Sequence, residues 1–298
     1  MSSYKFIEYQ REDDGRIAVI SLNRPRLRNA QSRGLIVELG HAFEVAEADD
    51  QVRVVVLRGN GASFSAGHDM GSEESVEEET RGPNEHPTFG GNGGTRGGIE
   101  TRWLQEWHYY FANTRRWRDL RKVTIASVHG PVYSAGLMLM WACDLIVADT
   151  TATFADVVGT RLGMPGVEYF AHPWELGPRK AKELLLTGDS IDAEEAYRLG
   201  MLSRVFPEGR LIEDTLAFAR RIAAVPSVTS LMIKESVNQT QDNQGFQTAL
   251  NAAFTIHELN HAHWAMVSSG EAWVQTEATG AVGWKDAPPI RAAQKRTP

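Results

Sequence analysis

A chain of 298 residues is long enough to bury one large core, with room left for a small appendage. Hydrophobic residues at 42% and charged residues at 23% are ordinary for a globular protein, and a formal net charge of -7 removes the basic face that general nucleic-acid binding requires. The single cysteine, Cys143, excludes an intrachain disulfide framework. A reducing, cytoplasmic setting is therefore expected, with no secretion leader and no apolar run near the ~18 residues of a membrane span.

Residues 4–10 alternate loosely, Gly15 marks a turn, and residues 16–22 follow as a second strand. Residues 23–29 read as a loop from their Pro and Asn content. A helix is expected over 32–48, with Leu35, Ile36, Leu39, Ala42, Phe43 and Ala46 on one face at the 3.6-residue period. The β-branched run 52–57 reads as a buried strand, as do 124–128 and 144–148. Strand, helix, strand, helix, strand predicts an α/β fold of stacked βαβ units. Helical periodicity then covers 178–186, 193–199, 213–224 and one long stretch from 227 toward 277.

Residues 71–100 break this pattern. They hold eight glycines and the acids Glu73, Glu74, Glu77, Glu78 and Glu79, with almost no apolar side chains. Composition predicts an irregular surface insertion, and its length admits a mobile loop over a functional site.

Two loops carry the chemical interest. Residues 59–70 follow one buried strand, and residues 129–140 follow another and run into a helix. Small residues at Ala66, Gly67, Ser134, Ala135 and Gly136 let a ligand approach the main chain closely. A helix start also leaves unpaired N–H groups at a positive dipole end. Two such loops on neighbouring strands are suited to converge on one developing oxyanion.

The pair, in this order and spacing, resembles the enoyl-CoA hydratase/isomerase (crotonase) superfamily over nearly the whole chain. Asn23-Arg24-Pro25 with Asn29-Ala30 is similar to that family's NRP…NA loop. Phe64 to Asp69 is similar to its FxAGxD segment. Ala126 to Gly130 with Ser134-Ala135-Gly136 and Cys143-Asp144 is similar to AxxNG…GGG…CD. Pro165-Gly166 and the run from Leu186 through Ala193, Ala196, Gly200 and Val205 match its later signatures. The resemblance implies crotonase-like stacked ββα units over residues 1–206, interrupted by the insertion at 71–100, with a helical oligomerisation region at 207–298. It also implies a trimer or a dimer of trimers, an acyl-CoA thioester as substrate, and no cofactor beyond the coenzyme A that the substrate carries.

Carried over by position, the oxyanion donors are the N–H groups of His68 and Ala135. Ala66, Gly67, His68, Asp69 and Met70 border the coenzyme A, whose adenine edge the backbone around Ala66 reads. Arg24, Arg26 and Arg28 form a cationic cluster suited to its phosphates. Asp69 reads best as a structural cap. Trp284 and Lys285 resemble a tail that touches coenzyme A in the family. The two glutamates of the usual hydratase fall at Met138 and Val158, where no proton transfer is available, so hydration of straight-chain enoyl-CoA is not expected. Asp156 and Glu168 are the candidate replacement acids or bases. Asp156 is assigned to the same strand face as Val158.

His68, His129 and Tyr133 add polar groups near the loops. His129 is expected to make a loop hydrogen bond. The cluster Trp103, Trp107, His108, Tyr109 and Tyr110 is read either as a border for a bulky acyl group or as a core stripe. His257-Glu258-Leu259-Asn260-His261 matches HExxH formally, but the reading adopted is a polar helix surface, with no metal site. The alternatives kept beside an acyl-CoA enzyme are a non-catalytic acyl-CoA-binding protein and, distantly, a metalloprotease.

Overall fold

The alternating residues near the N-terminus pair as two antiparallel strands, β1 (Ile7–Glu12) and β2 (Ile17–Leu22), and begin a six-stranded sheet. The structure is a computed structural model that describes residues 4–81, 99–267 and 287–293. After β2 come α1 (Arg33–Ala48), β3 (Val54–Gly59), α2 (Glu73–Arg81) and α3 (Ile99–Glu106). The last of these runs through a π-helical turn at Trp107–Ala112 into α4 (Asn113–Arg118). Next are β4 (Val123–Val128), β5 (Pro131–Tyr133), α5 (Ala135–Trp141), β6 (Leu145–Asp149), β7 (Thr153–Ala155) and α6 (Val158–Leu162). The chain continues with α7 (His172–Leu176), α8 (Pro178–Thr187), β8 (Ile191–Asp192), α9 (Ala193–Leu199) and β9 (Arg204–Phe206). Three helices close it: α10 (Leu211–Ala223), α11 (Ser227–Asn243) and α12 (Phe246–Val267).

The large sheet has the order β1-β2-β3-β4-β6-β9, parallel from β2 onward, and a small sheet has the order β5-β7-β8. Both faces of the large sheet are covered, which is why its strands read as continuous apolar runs. Side chains alternate between two cores at the strand period of two. Ala18, Ile20, Leu22, Val55 and Leu57 face the core that holds Leu35, Leu39 and Phe43 of α1. Ile17, Val19, Val54, Val56, Ile125 and Val147 face a second core with Leu211, Ala219 and Ala223 of α10.

Two expectations about elements change. The segment taken as an irregular insertion from residue 71 opens as helix α2. Asp69 accepts the Ser72 N–H at 3.0 Å, and the Ser72 hydroxyl accepts the Ser75 N–H at 3.2 Å, so a local cap starts the helix despite the composition. Glu78 of α2 then accepts the N–H groups of Arg33 (2.8 Å) and Gly34 (2.9 Å) at the positive end of α1. The glycine-rich stretch 82–98 lies outside the described residues, as do Trp284 and Lys285. The helix expected from 227 toward 277 is broken in two, because Gly245 adopts φ +101, which ends α11 and restarts the chain as α12. Helices α10–α12 make up most of the described part of the region 207–298, and residues 287–293 are irregular. Phe246, Leu250 and Phe254 of α12 belong to the main core. No single helix among the described residues is long and apolar enough to cross a membrane.

Candidate active site

The two small-residue loops meet. Residues Ser65 and Val132 pair as an isolated parallel bridge, with Tyr133 N–H donating to Ser65 O at 3.2 Å. A β-carbon on Gly136 would sit 2.3 Å from Ser65 O, so only glycine permits this approach. Gln31 clamps the pair, donating to Ala135 O at 2.9 Å and to the Ser65 hydroxyl at 3.3 Å. Ser134 holds φ 47, ψ −118, a sparsely populated conformation that turns β5 abruptly into α5. That turn makes Ala135 the first residue of a helix, with an N–H that has no partner inside it. Among the described residues neither the Ala135 nor the His68 N–H donates to another group of the chain. Both sit where the loops converge. A β-carbon on Gly67, next to His68, would lie 3.3 Å from the Ala135 nitrogen.

The arginine cluster divides. Arg26 and Arg28 are exposed, whereas Arg24 is buried with its guanidinium 2.7 Å from Asp69 and 2.6 Å from Glu74. Arg24 is thus spent inside the protein, a correction to its grouping with the phosphate-binding cations. Asp69 serves as the cap expected for it. Its pKa falls because the Ser72 and Arg24 hydrogen bonds outweigh burial, which works to raise it. Ala66 and His68 line the cavity beside the loops, and Met70 at its rim is exposed. His129 donates to Gly61 O at 2.8 Å, the loop hydrogen bond expected of it.

The cavity encloses about 100 Å³, and Arg33, Glu78, Arg102, Glu106 and Glu168 bring charged groups to walls that are otherwise largely apolar. Glu168 enters it fully buried, 3.0 Å from His68 Nε2. Burial works to raise the Glu168 pKa, but the His68 ring beside it brings the result below the ordinary carboxylate value. An ionised carboxylate only accepts, so Nε2 carries the proton of this hydrogen bond. The other ring nitrogen, Nδ1, is buried without a hydrogen-bond partner among the described residues. Tyr110 lies against the same imidazole, ring centroids 3.8 Å apart, and burial raises its phenol pKa so that it stays neutral.

Asp156, the other candidate acid or base, does not share the position of Glu168 in the cavity. It is not on a strand, since β7 ends at Ala155, and it does not line the cavity. Its carboxylate accepts from His172 Nε2 at 2.9 Å and from the N–H groups of Val158 and Val167 at 3.1 Å. Those partners hold its pKa down against burial, and all its capacity goes into fixing the chain around α6. Val158 lines the cavity as an apolar wall, and Met138 is buried in the core. The aromatic cluster splits between the two readings given for it. Tyr109 and Tyr110 face the cavity, while Trp103 and Trp107 are exposed.

The HExxH segment also departs from expectation. Its histidines do not form a polar surface. Both are buried, and each reaches Glu106, His257 at 3.1 Å and His261 at 3.2 Å. Glu106 ends α3, just before the π-helical turn, a deviation that often marks functional positions. The two histidines hold the Glu106 pKa well below the ordinary value although burial opposes this. The same contact with Glu106 raises His257 to about 9 against its burial. Sequence reasoning missed Glu106 because it lies some 150 positions from its partners. The i, i+4 spacing of the histidines was the available signal.

The family profile described as enoyl-CoA hydratase/isomerase matches residues 12–87 and 98–275. A Mycobacterium tuberculosis protein named "Putative enoyl-CoA hydratase EchA13" is 61% identical over 295 residues, covering 99% of this chain and 93% of that protein. The 4-chlorobenzoyl coenzyme A dehalogenase-2 of an Arthrobacter species is 30% identical over 84% of each chain. The solved structure of a probable enoyl-CoA hydratase from Mycobacterium smegmatis superimposes with a TM-score of 0.79 at 41% identity, over 90% of this chain and 99% of that one.

Proposed function

The chain belongs to the enoyl-CoA hydratase/isomerase family, and from that premise we propose that it binds an acyl-CoA thioester and stabilises its enolate with the N–H groups of His68 and Ala135. One observation carries the reading. Two backbone donors are unengaged among the described residues: His68 lines the cavity that also receives Glu168, and Ala135 directly follows the lining residue Ser134. Oriented N–H dipoles in a water-poor site stabilise a developing enolate oxygen without reorganising. That stabilisation acidifies the α-carbon, and the neighbouring imidazole, held by Glu168, is the group that moves the proton. Coenzyme A lies over Ala66, Gly67 and Met70, with Arg26 and Arg28 free to meet its phosphates.

Met138 and Val158 stand where a hydratase carries glutamates, so Glu168 with His68 takes over their work. The acyl group is compact, because burying a long alkyl chain against Glu106, Glu168 and Arg102 would strip charged groups of their solvation. Members of this family bear names as different as hydratase and dehalogenase, so membership leaves the reaction open. A trimer or a dimer of trimers fits the exposed apolar residues Met232, Ile233, Ile256 and Leu259 on α11 and α12.

The test is deuterium exchange at the α-carbon of a panel of short and aromatic acyl-CoAs, in the parent protein and in Glu168→Gln. Exchange that falls by about 10²–10⁴ in the variant supports the assignment. Binding with no exchange from any thioester would leave a non-catalytic acyl-CoA-binding protein. Exchange indifferent to Glu168 would reject the His68–Glu168 assignment.

A further inference from the structure

We propose that Glu106, His257 and His261 form a binding site for one divalent first-row metal ion, with Zn²⁺ the best match to the donors. The three residues come from the end of α3 and from successive turns of α12. Their ligand atoms all lie within 4.8 Å of one another, and all three side chains are buried. The two separations to Glu106, 3.1 Å and 3.2 Å, match the ~3.0–3.4 Å between donors that share one ion at ~2.0–2.1 Å. Two imidazoles and a carboxylate are a common zinc set, and they leave at least one position for water or an oxygen from the cavity.

The orientation of His257 is the second observation. Its Nδ1 lies 2.9 Å from Gly166 O. A carbonyl oxygen only accepts, so Nδ1 carries the hydrogen and donates it. A ligating histidine is commonly fixed in this way by a backbone carbonyl, with Nε2 turned to the metal. Here Nε2 is turned to Glu106 Oε2. An ion held between this nitrogen and Oε2 would satisfy both groups. The competing resolution is a second proton on the ring, within a network that includes Arg102, whose Nη1 is 3.6 Å from Glu106 Oε1. The site does not depend on the thioester reading, since neither His68 nor Ala135 takes part in it.

The experiment uses tag-free full-length protein, stripped with chelator, then incubated with Zn²⁺ and desalted. The expected result is one zinc per chain, with affinity at least about 100-fold weaker in His261→Ala. Because that variant leaves a hole in the fold, Co²⁺ substitution of the parent protein provides a second readout. Visible d–d bands of nitrogen–oxygen coordination are expected, and excess Zn²⁺ should bleach them. Zinc retained equally by parent and variant would place the ion elsewhere and overturn the proposal. So would a parent protein that retains no zinc and gives no cobalt bands, and the cluster would then be a protonated charge network.

Discussion

Replacing Gly67 by alanine perturbs the two small-residue loops at the point where they touch, and so tests the proposed oxyanion role. The new β-carbon would lie 2.9 Å from Tyr133 O, 3.3 Å from the Ala135 nitrogen and 3.5 Å from the Ser134 β-carbon. Restoring ordinary contact requires the loops to part by about 0.5 Å, which is comparable to the whole tolerance of an oxyanion donor, ~2.7–3.1 Å from its acceptor. Gly67 also holds φ +99, where a β-carbon costs roughly 1–2 kcal/mol. The expected outcome is a stability loss of about 2–3 kcal/mol, and a loss of up to about 10²–10³ in α-proton exchange if one donor is pulled away. Isotope-edited infrared spectra of a bound thioester read the donors directly. The carbonyl band, shifted down in the parent, should move back toward its solution value. Gly200→Ala is the control. Gly200 has φ +88, but a β-carbon there meets nothing within 4 Å, so it shares the strain without the contact. It should lose stability and keep the carbonyl shift. A folded Gly67→Ala protein with parental exchange and an unmoved band would refute the reasoning.

Asp156→Asn should lower stability by about 2–4 kcal/mol, because it breaks a buried carboxylate–histidine pair. Thermal unfolding measures the loss, and thioester affinity should stay near parental because Asp156 is outside the cavity. The folded pKa of Asp156 lies below its unfolded value, so its contribution is present above about pH 4 and lost as pH falls through the folded value. Glu175 has the opposite sign. Burial raises it to about 7, so the folded state holds its proton more tightly, and the associated stability is lost as pH rises from about 4.5 through 7. Glu175→Gln should therefore gain on the parent above pH 7, by at most about 3 kcal/mol, with a flatter dependence in pH-resolved denaturant melts. Equal slopes for the two proteins would show that Glu175 is solvated in the folded state.

The site was legible in proportion to how local its chemistry is. The small residues Ala66, Gly67, Ala135 and Gly136 mark a close backbone approach, and the sequence alone points to the two loops through them. Glu168 was named as one of two candidate acids, but sequence distance could not choose between it and Asp156. The choice depends on where β7 ends and which carboxylate the His172 ring reaches. Arg24 looked like its neighbours Arg26 and Arg28 until the fold set Asp69 and Glu74 against it. Helix α2 was hidden because its start is fixed by side-chain caps, while its composition is that of a loop.

By itself the sequence determined the layered α/β architecture, through the strand period of two and the helical period of 3.6, and it located the two loops that supply backbone donors. Both signals are carried by neighbours along the chain. Tertiary structure alone decided which charged groups reach the cavity wall. The His257–His261 face turns inward because Phe254 and Leu250, on the same helix, are drawn into the main core, and that rotation delivers both imidazoles to Glu106. The two N–H donors at converging loops follow from local chemistry. The charged groups at the cavity wall were set by which faces the core had to bury.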